Sequence, residues 1–232
     1  MSASAAIPRA GAVIVAAGAS TRMGAAGDKT LADLGGEPLI ARTIAAFEAC
    51  DAIEAVVLVA GEGNLDAVAE LRDAKNWRKT ARPVLGGARR QDSVRIGIEA
   101  LPPECEWVVV HDGARPFVTA RMIEDGLRAA APTGAAIAVV PAYDTVKRVA
   151  SDGSVVETLD RNELALVQTP QVFRRDILER AHAQVSEDVT DDAAMAERIG
   201  VEVRTFPGSR SNIKATTLED LAVGRALWVE TP

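Results

Sequence analysis

Residues 12–29 read Ala-Val-Ile-Val-Ala-Ala-Gly-Ala-Ser-Thr-Arg-Met-Gly-Ala-Ala-Gly-Asp-Lys. The stretch opens with an apolar run that is short enough to be a buried strand. The small residues that follow let backbone N–H groups approach a ligand closely, and successive N–H groups on a turning chain form a concavity that binds anions. Arg22 and Lys29 add fixed positive charges to the same loop. The stretch therefore predicts a nucleotide triphosphate site at the end of the first strand.

Two common phosphate-binding motifs do not fit this loop. A P-loop requires Gly-x-x-x-x-Gly-Lys-Ser/Thr, whereas Asp28 separates Gly27 from Lys29. The dinucleotide fingerprint Gly-x-Gly-x-x-Gly fails because Ser20 stands at the position of its second glycine. On composition alone, an ordinary strand-to-helix loop with an exposed arginine and lysine remains an alternative.

The composition is typical of one large α/β domain with a substantial core. The chain has 232 residues, of which 48% are hydrophobic and only 3% aromatic, and its formal net charge is −7. These values disfavour a nucleic-acid surface, so an anionic ligand must be held by a few local cations. The sequence has no apolar run of membrane-spanning length and no signal-like stretch, and Cys50 and Cys105 fit no metal-ligand spacing. We expect a cytoplasmic protein without nucleic-acid or membrane partners.

Apolar strands alternate with helical patterns along the first two thirds of the chain. The predicted elements are Ala12–Ala17, Leu39–Cys50, Ala55–Ala60, Asp66–Arg72, Arg82–Leu85, Asp92–Leu101, Trp107–Val110, Met122–Ala131 and Ala135–Val140. This order predicts a mostly parallel sheet with helices on both faces, and such sheets bind ligands at the carboxyl ends of their strands. Gly18, Gly86-Gly87 and His111-Asp112 all follow predicted strands. We therefore expect these residues to share one site.

The alternation breaks between residues 141 and 164. Val146–Val149 and Val155–Leu159 flank an Asp-Gly pair, which predicts a β-hairpin. A hairpin of two strands is marginally stable alone in water, so it needs a partner. A dimerisation arm and a hairpin folded onto its own domain are both open at this point. We expect a single domain over residues 1–232, with the arm at about 141–164.

The C-terminal part of the chain returns to regular structure. The predicted elements there are helices at Arg174–Val185, Asp191–Ile199 and Leu218–Val229, and a short strand at Glu202–Phe206.

Asp112 follows a strongly apolar strand pattern and is expected to face the triphosphate site. A carboxylate there suits Mg²⁺, which binds one or two carboxylates together with substrate phosphates. A turn cap is the alternative use of this aspartate. We interpret the neighbouring His111 as structural, because a lone histidine beside an apolar strand is rarely catalytic.

Eight motifs occur in a fixed order along the chain. They are Ala-Ala-Gly-x-x-x-Arg-Met (16–23), Gly-Gly-x-x-Arg-x-x-Ser-Val (86–94), Val-His-Asp-x-Ala-Arg-Pro (110–116), Asp-Thr-x-Lys (144–147), Asp-Arg-Asn (160–162), Thr-Pro-Gln-x-Phe (169–173), Thr-Asp-Asp-Ala (190–193) and Asn-Ile-Lys (212–214). Each motif is weakly specific, but the ordered set resembles the 2-C-methyl-D-erythritol 4-phosphate cytidylyltransferases of the non-mevalonate isoprenoid pathway. The resemblance extends from Ala12 to about Leu221.

The resemblance implies a Rossmann-like nucleotidyltransferase fold with a protruding hairpin arm. It also implies transfer of CMP from CTP to methylerythritol phosphate, with release of pyrophosphate and with Mg²⁺ as the metal. The implied catalytic residues are Arg22, Lys29, Arg161 and Lys214. Arg22 and Lys29 would neutralise the triphosphate, whereas Arg161 and Lys214 would hold the methylerythritol phosphate.

The family pattern also implies a set of substrate-binding residues and a homodimer. The implied binding residues are Ala16, Ala17, Gly18, Gly86, Gly87, Ser93, Asp112, Gly113, Arg115, Thr145 and Thr169. Among them, the loop around Gly86, Gly87 and Ser93 would read the cytosine, and Asp112 would bind Mg²⁺ or the substrate. In the family the arm crosses to the partner, so Thr145 and Arg161 would complete the neighbour's site.

The residue types agree with this chemistry independently of the family name. The attacking group is a phosphate oxygen that is already ionised at neutral pH, so no strong general base is needed. The barrier is the approach and alignment of two polyanions, which calls for cations.

Four positions depart from the family pattern. Asp28 stands where the family commonly has proline, Thr30 replaces a frequent glutamine, Ala88 stands where some relatives carry an acidic residue, and Gly113 replaces a usual alanine. Asp28 either weakens triphosphate binding or adds a metal contact.

Two alternative functions stay open. The chain is either a cytidylyltransferase for another polyol phosphate, such as ribitol 5-phosphate, or a catalytically idle CTP-binding protein.

Overall fold

The structure, a computed structural model, describes residues 8–18 and 28–229. Its strands are β1 (Ala10–Ala16), β2 (Ile53–Ala60), β3 (Val84–Leu85), β4 (Trp107–Asp112), β5 (Ala135–Pro141), β6 (Lys147–Val149), β7 (Val155–Thr158), β8 (Ala165–Arg174) and β9 (Arg204–Pro207). Its α-helices are α1 (Leu39–Glu48), α2 (Leu65–Lys75), α3 (Arg90–Ala100), α4 (Ala120–Ala130), α5 (Arg175–Gln184), α6 (Asp192–Arg198) and α7 (Leu218–Val229). Lys29–Leu31 and Arg161–Glu163 form short 3-10 turns.

Within the described residues, a seven-stranded sheet with the order β3-β2-β1-β4-β8-β5-β9 forms the centre of the fold. β1 runs parallel to β2 and to β4, and β5 runs parallel to β9. β8 is the exception, because it is antiparallel to both of its neighbours, β4 and β5. The predicted mostly parallel sheet is confirmed.

Helices cover both faces of the sheet because successive residues of a strand point to opposite sides. Ile14 of β1 packs in one core with the buried faces of α1 and α4, whereas Val13 packs in a second core with α3 and α5. Both side chains are fully buried, and each such aliphatic side chain contributes about 1.5–3 kcal/mol relative to exposure. The described part of the chain contains no helix long and apolar enough to cross a membrane.

β8 is not among the predicted strands. Its centre carries Pro170, which has no N–H to donate to a ladder, between polar residues that do not match an apolar strand pattern. Gln168, Thr169 and Gln171 are nevertheless buried, and the Gln171 amide donates to the Asp191 carboxylate at 2.7 Å. The Gln168 and Thr169 side chains and the Gln171 amide nitrogen find tertiary hydrogen-bond partners, which a single sequence does not reveal.

The predicted hairpin is present as β6 and β7, which pair only with each other in the described residues. Gly153 supplies the positive φ of 85° in the turn between them. Every residue of β7 is exposed, including Val155 and Val156 at 61% and 59%. The arm leaves the sheet after β5 and returns as β8, with Pro141 paired to Ala165 at its base.

Candidate functional site

Two adjoining clefts lie at the carboxyl ends of β1 and β4. Val15 and Asp112 are paired at these ends, and the N–H of Gly113 donates to the Val15 carbonyl oxygen at 2.8 Å. The first cleft has a volume of about 270 Å³ and the second about 300 Å³. Arg90, Asp112 and Lys214 line both clefts, so these three residues mark their junction.

The structure brings most of the predicted site residues into these clefts. The first cleft is lined by Val15, Ala16, Ala17, Gly18, Lys29, Thr30, Gly87, Ala88, Arg89, Arg90, Ser93, Asp112, Ala114 and Lys214. The second is lined by Arg90, Asp112, Arg115, Val167, Gln168, Thr169, Gln171, Thr190, Asp191 and Lys214. The described lining residues carry more arginine and lysine than aspartate, although the whole chain has a net charge of −7. Both clefts therefore favour anionic ligands.

Asp112 holds the cations at the junction. Its carboxylate accepts from Lys214 Nζ at 2.9 Å, and it also lies 3.4 Å from Arg115 Nε and 3.5 Å from Arg90 Nε. Burial alone would raise the pKa of Asp112, but the charges of Lys214 and Arg90 outweigh burial and hold that pKa well below its ordinary value. Asp112 is therefore ionised at neutral pH and fixes the side chains around it.

The loop after β9 positions Lys214. Asn212 is fully buried, and its side-chain amide donates to the Thr169 carbonyl oxygen of β8 at 2.8 Å. The Asn212 carbonyl oxygen in turn accepts from Arg115 Nη1 at 2.8 Å. Ala215 N–H donates to the Ala114 carbonyl oxygen at 2.9 Å, which closes the loop against β4. The Asn-Ile-Lys motif is thus an anchor that presents its lysine to the junction.

His111 and Thr169 form a buried support beneath Asp112. The Thr169 hydroxyl accepts from Asp112 N–H at 3.0 Å and lies 3.0 Å from His111 Nδ1. His111 Nε2 lies 3.1 Å from the Arg115 carbonyl oxygen, which can only accept, so Nε2 carries the proton and Nδ1 accepts from the threonine hydroxyl. Burial lowers the pKa of His111 to about 4. This neutral histidine has no nitrogen available for substrate, which supports its structural interpretation.

The far wall of the first cleft is the loop that leads into α3. Gly87 N–H donates to Ser93 Oγ at 3.1 Å, and Ser93 Oγ donates to the Arg89 carbonyl oxygen at 3.2 Å. A Cβ on Gly86 would lie only 2.5 Å from the Cβ of Ala17. Gly86 therefore packs behind the cleft rather than lining it, and it lets this loop approach the end of β1.

A family model for 2-C-methyl-D-erythritol 4-phosphate cytidylyltransferase matches residues 10–230. The chain belongs to this cytidylyltransferase family. A 2-C-methyl-D-erythritol 4-phosphate cytidylyltransferase of Dehalococcoides mccartyi is 46% identical over 217 residues, which cover 94% of this chain and 95% of the relative. The family resemblance of the sequence motifs is confirmed.

Solved structures of cytidylyltransferases from this family share the fold. The 4-diphosphocytidyl-2C-methyl-D-erythritol synthase of Anaerococcus prevotii matches with a TM-score of 0.83 at 28% identity, covering 95% of this chain and 98% of that one. The 2-C-methyl-D-erythritol 4-phosphate cytidylyltransferase of Thermus thermophilus matches with a TM-score of 0.76 at 30% identity, covering 95% and 99%. These matches confirm the predicted nucleotidyltransferase fold.

Several predicted site residues of the cytidylyltransferase pattern lie away from the two clefts or outside the described residues. Arg22 falls outside the described residues. Gly113 is buried below the junction, where its carbonyl oxygen accepts from Thr43 Oγ1 at 2.9 Å. Thr145 and Arg161 are exposed on the arm, and Arg161 lines a separate surface depression at the base of the arm. Neither arm residue lines the clefts that contain Lys29 and Lys214.

Arg90 is a site residue that the sequence analysis did not single out. Its Nη1 donates to the fully buried Asp192 carboxylate at 2.7 Å, while its Nε faces Asp112. Burial disfavours the charge of Arg90, but Asp192 and Asp112 outweigh burial and raise its pKa above the ordinary value. Arg90 is the arginine of the Gly-Gly-x-x-Arg motif, and Asp192 belongs to the Thr-Asp-Asp-Ala motif. Both residues stand in motifs of the cytidylyltransferase family, and that is the sequence feature by which Arg90 could have been recognised as a site residue.

The described residues do not fit a protein-held Mg²⁺ centre. They contain no group of three or more histidine, cysteine, aspartate or glutamate side chains placed to hold a metal ion. Asp112 is the only carboxylate that lines the first cleft among them, and it already faces Lys214, Arg115 and Arg90. A carboxylate that is neutralised by this many cations is a poor ligand for a further cation.

Proposed function

We propose that this chain transfers the cytidylyl group of CTP to 2-C-methyl-D-erythritol 4-phosphate, forming 4-diphosphocytidyl-2-C-methyl-D-erythritol and releasing pyrophosphate. The observation that carries the proposal is the junction of two cation-rich clefts at Arg90, Asp112 and Lys214. A reaction between two phosphate compounds needs two such anion sites in contact. Membership of the cytidylyltransferase family supports the identity of both substrates.

The first cleft is proposed to hold the nucleotide. Lys29 and Gly18 lie at the end of β1, where the N–H groups and the ammonium suit the triphosphate, and Arg22 is proposed to join them. Gly87, Ala88 and Ser93 form the opposite wall, where the ordered loop suits recognition of the cytosine.

The second cleft is proposed to hold the polyol phosphate. Lys214 and Arg115 would bind its phosphate group, and Thr169 supports the wall beneath. A phosphate oxygen of the polyol substrate attacks the α-phosphorus of CTP. A new P–O bond forms, the bond to the β-phosphate oxygen breaks, and pyrophosphate leaves. The attacking oxygen is ionised at neutral pH, so the cations of the chain stabilise developing charge and no side chain acts as a base.

Mg²⁺ remains part of the proposal only as an ion bound by the triphosphate. Asp112 is then a residue that orients Lys214, Arg115 and Arg90.

The first test is pyrophosphate release by the purified chain with CTP, Mg²⁺ and a panel of methylerythritol, ribitol and erythritol phosphates. Turnover with the methylerythritol compound alone supports the proposal. Turnover only with another polyol phosphate would keep the reaction and replace the substrate, whereas CTP binding without any release would contradict an enzymatic role.

We further propose a homodimer of single-domain subunits in which the arm, residues 141–164, completes the neighbour's second cleft. Thr145 and Arg161 do not line the chain's own clefts, and Val155 and Val156 expose apolar surface on a hairpin that pairs with no other strand in the described part of the chain. A cytoplasmic location stays a prediction from the sequence.

A subunit-mixing experiment tests this arrangement. Arg161→Ala and Lys214→Ala are each expected to be nearly inactive alone. In a mixed dimer, one site receives both defects and the other receives none, so activity returns on mixing if the arm serves the neighbour. No recovery in mixed dimers contradicts the crossed arm.

The oligomeric state provides a second test. Val156→Glu should shift the mass measured by light scattering towards the monomer. Val223→Glu on α7, where the valine is 51% exposed, is the matched control and should leave the mass unchanged. A monomeric wild-type chain at micromolar concentration would contradict the dimer.

A further inference from the structure

Lys29 is held in place by a compact hydrogen-bond cluster of Asp28, Thr30 and Asn64. Asp28 Oδ1 accepts from Thr30 N–H at 2.7 Å and from Thr30 Oγ1 at 2.6 Å, so the carboxylate closes a tight turn around Lys29. Asp28 Oδ2 accepts from Asn64 Nδ2 at 2.7 Å. The lysine therefore lies between two residues whose side chains are fixed to each other and to a third.

Asn64 connects this turn to the sheet. Its Nδ2 also lies 3.1 Å from the Ala16 carbonyl oxygen, at the end of β1, and 3.1 Å from Thr30 Oγ1, so its two hydrogens are shared among three acceptors. Its Oδ1 accepts from Gly61 N–H at 2.8 Å, in the turn that follows β2. Asn64 and Thr30 are both almost completely buried, which makes each of these polar contacts costly to break.

The cluster borders the first cleft, and Thr30 belongs to both. Lys29 lines this cleft together with Ala16 and Gly18, and a Cβ built on Gly18 would stand 4.0 Å from Lys29 Nζ. A lysine side chain has many rotamers, and holding it against a phosphate costs rotational freedom. A backbone that is fixed on both sides of the lysine reduces the disorder that must be removed in the reaction.

We propose that Asn64, acting through Asp28 and Thr30, is a positioning residue that fixes Lys29 against the carboxyl end of β1 for the cytidylyl transfer. Both oxygens of Asp28 are engaged by Thr30 and Asn64, so this aspartate serves the turn and not the ligand. Asp28 and Thr30 are also two of the positions at which the chain departs from the family pattern. The inference rests on the role of Lys29 given under the proposed function.

The test compares steady-state kinetics of Asn64→Ala and Asp28→Asn with those of the wild-type chain. We expect kcat to fall by about 10-fold or more, because a small misplacement of a charged group costs orders of magnitude in rate. A third variant, Thr30→Val, has Thr80→Val as its matched control. Thr80 is equally buried and donates through Oγ1 to Glu48 at 2.6 Å, as Thr30 does to Asp28, but it lies outside the described lining of both clefts.

A positioning role predicts that Thr30→Val lowers kcat and Thr80→Val does not, at a similar loss of melting temperature. Equal kcat values for the two variants would overturn the inference.

Lys29→Ala separates this inference from the proposed function. If Lys29→Ala leaves turnover unchanged, the role of Lys29 fails and the inference fails with it. If Lys29→Ala lowers turnover, adding Asn64→Ala to that variant should cost less than about 2-fold more, because Asn64 acts through the missing lysine. A full additional loss in the double variant would overturn the inference while leaving the proposed function intact.

Discussion

Replacement of Asp112 by asparagine tests the central cluster of the site. The change keeps the shape of the side chain but removes its charge and places an NH₂ group where one oxygen faced a cation. Lys214 Nζ, at 2.9 Å, and Arg90 Nε, at 3.5 Å, contact different oxygens, so whichever way the amide turns, one of them loses its acceptor. A hydrogen bond to a charged group contributes about 1.5–3 kcal/mol. That free energy corresponds to a loss of about 10- to 150-fold in kcat.

The same variant should not weaken substrate binding. Asparagine leaves Lys214, Arg115 and Arg90 without their shared counter-charge, so the anionic substrates gain attraction while the cations lose their alignment. We therefore expect KM for CTP and for the polyol phosphate to stay within about 3-fold of the wild-type value or to fall. The assay is pyrophosphate release with CTP, polyol phosphate and Mg²⁺ each varied in turn.

Two results would refute this reasoning about Asp112. An unchanged kcat would show that the cation cluster does not contribute to the reaction. A low activity that returns at high Mg²⁺ concentration would instead assign Asp112 as a metal ligand. Asp176→Asn is the matched control, because its exposed pair with Arg174 contributes little and its rate should equal that of the wild type.

Three further predictions concern protonation and packing. The folded pKa of Asp112 lies below its ordinary value of 3.8, so the contribution of this carboxylate to stability is complete above about pH 4 and is lost as the pH falls towards the folded pKa. In urea unfolding, the stability advantage of the wild type over Asp112→Asn should therefore decrease below about pH 4, and a constant difference contradicts the assignment. Burial lowers the pKa of His111 to about 4 and also lowers that of His182, so neither imidazole should titrate near pH 6.5, where an ordinary histidine does; the ring C–H signals of the two histidines, followed by NMR against pH, check this, and an inflection near pH 6.5 contradicts it. Gly97→Ala should lower the free energy of unfolding by about 1–3 kcal/mol, because its Cβ would lie 2.3 Å from a methyl group of Val13 in β1. Gly63→Ala is the control and should be tolerated, since its Cβ would meet nothing within 4 Å; equal chemical denaturation curves for the two variants would contradict the packing.

The parts of the fold that follow from local pattern could be predicted from the sequence. β1, β2, β4 and β5 are apolar runs between polar segments, and their order gives the parallel sheet and the edge at which a ligand binds. β8 could not be predicted in the same way, because the hydrogen bonds that make Gln168 and Gln171 acceptable inside the sheet come from residues distant in the sequence.

The candidate site likewise contains residues that the sequence predicts and pairs of residues that only the tertiary structure shows. Lys29, Asp112 and Lys214 stand in short motifs and were predicted to meet. Arg90 and Asp192 each stand in a motif, but the sequence does not show that the two motifs meet, and Asn64 belongs to no motif that would pair it with Asp28. Their geometry depends on how α6 and the turn after β2 pack on the sheet, which is a tertiary property.

The base of the arm has a consequence for how this protein could diversify. Pro141 of β5 and Ala165 of β8 are paired neighbours, so the whole arm is the tip of a hairpin whose stem belongs to the central sheet. Insertions or deletions in this tip leave the stem register intact, and replacing residues 142–164 by a tight turn should yield a folded chain. The fold therefore tolerates changes in the length of the tip, while the proposed role of Thr145 and Arg161 in the neighbour's cleft restricts its surface. β8 is limited to one length, because Thr169 must meet Asp112. An arm-deleted chain that fails to fold would contradict this modularity.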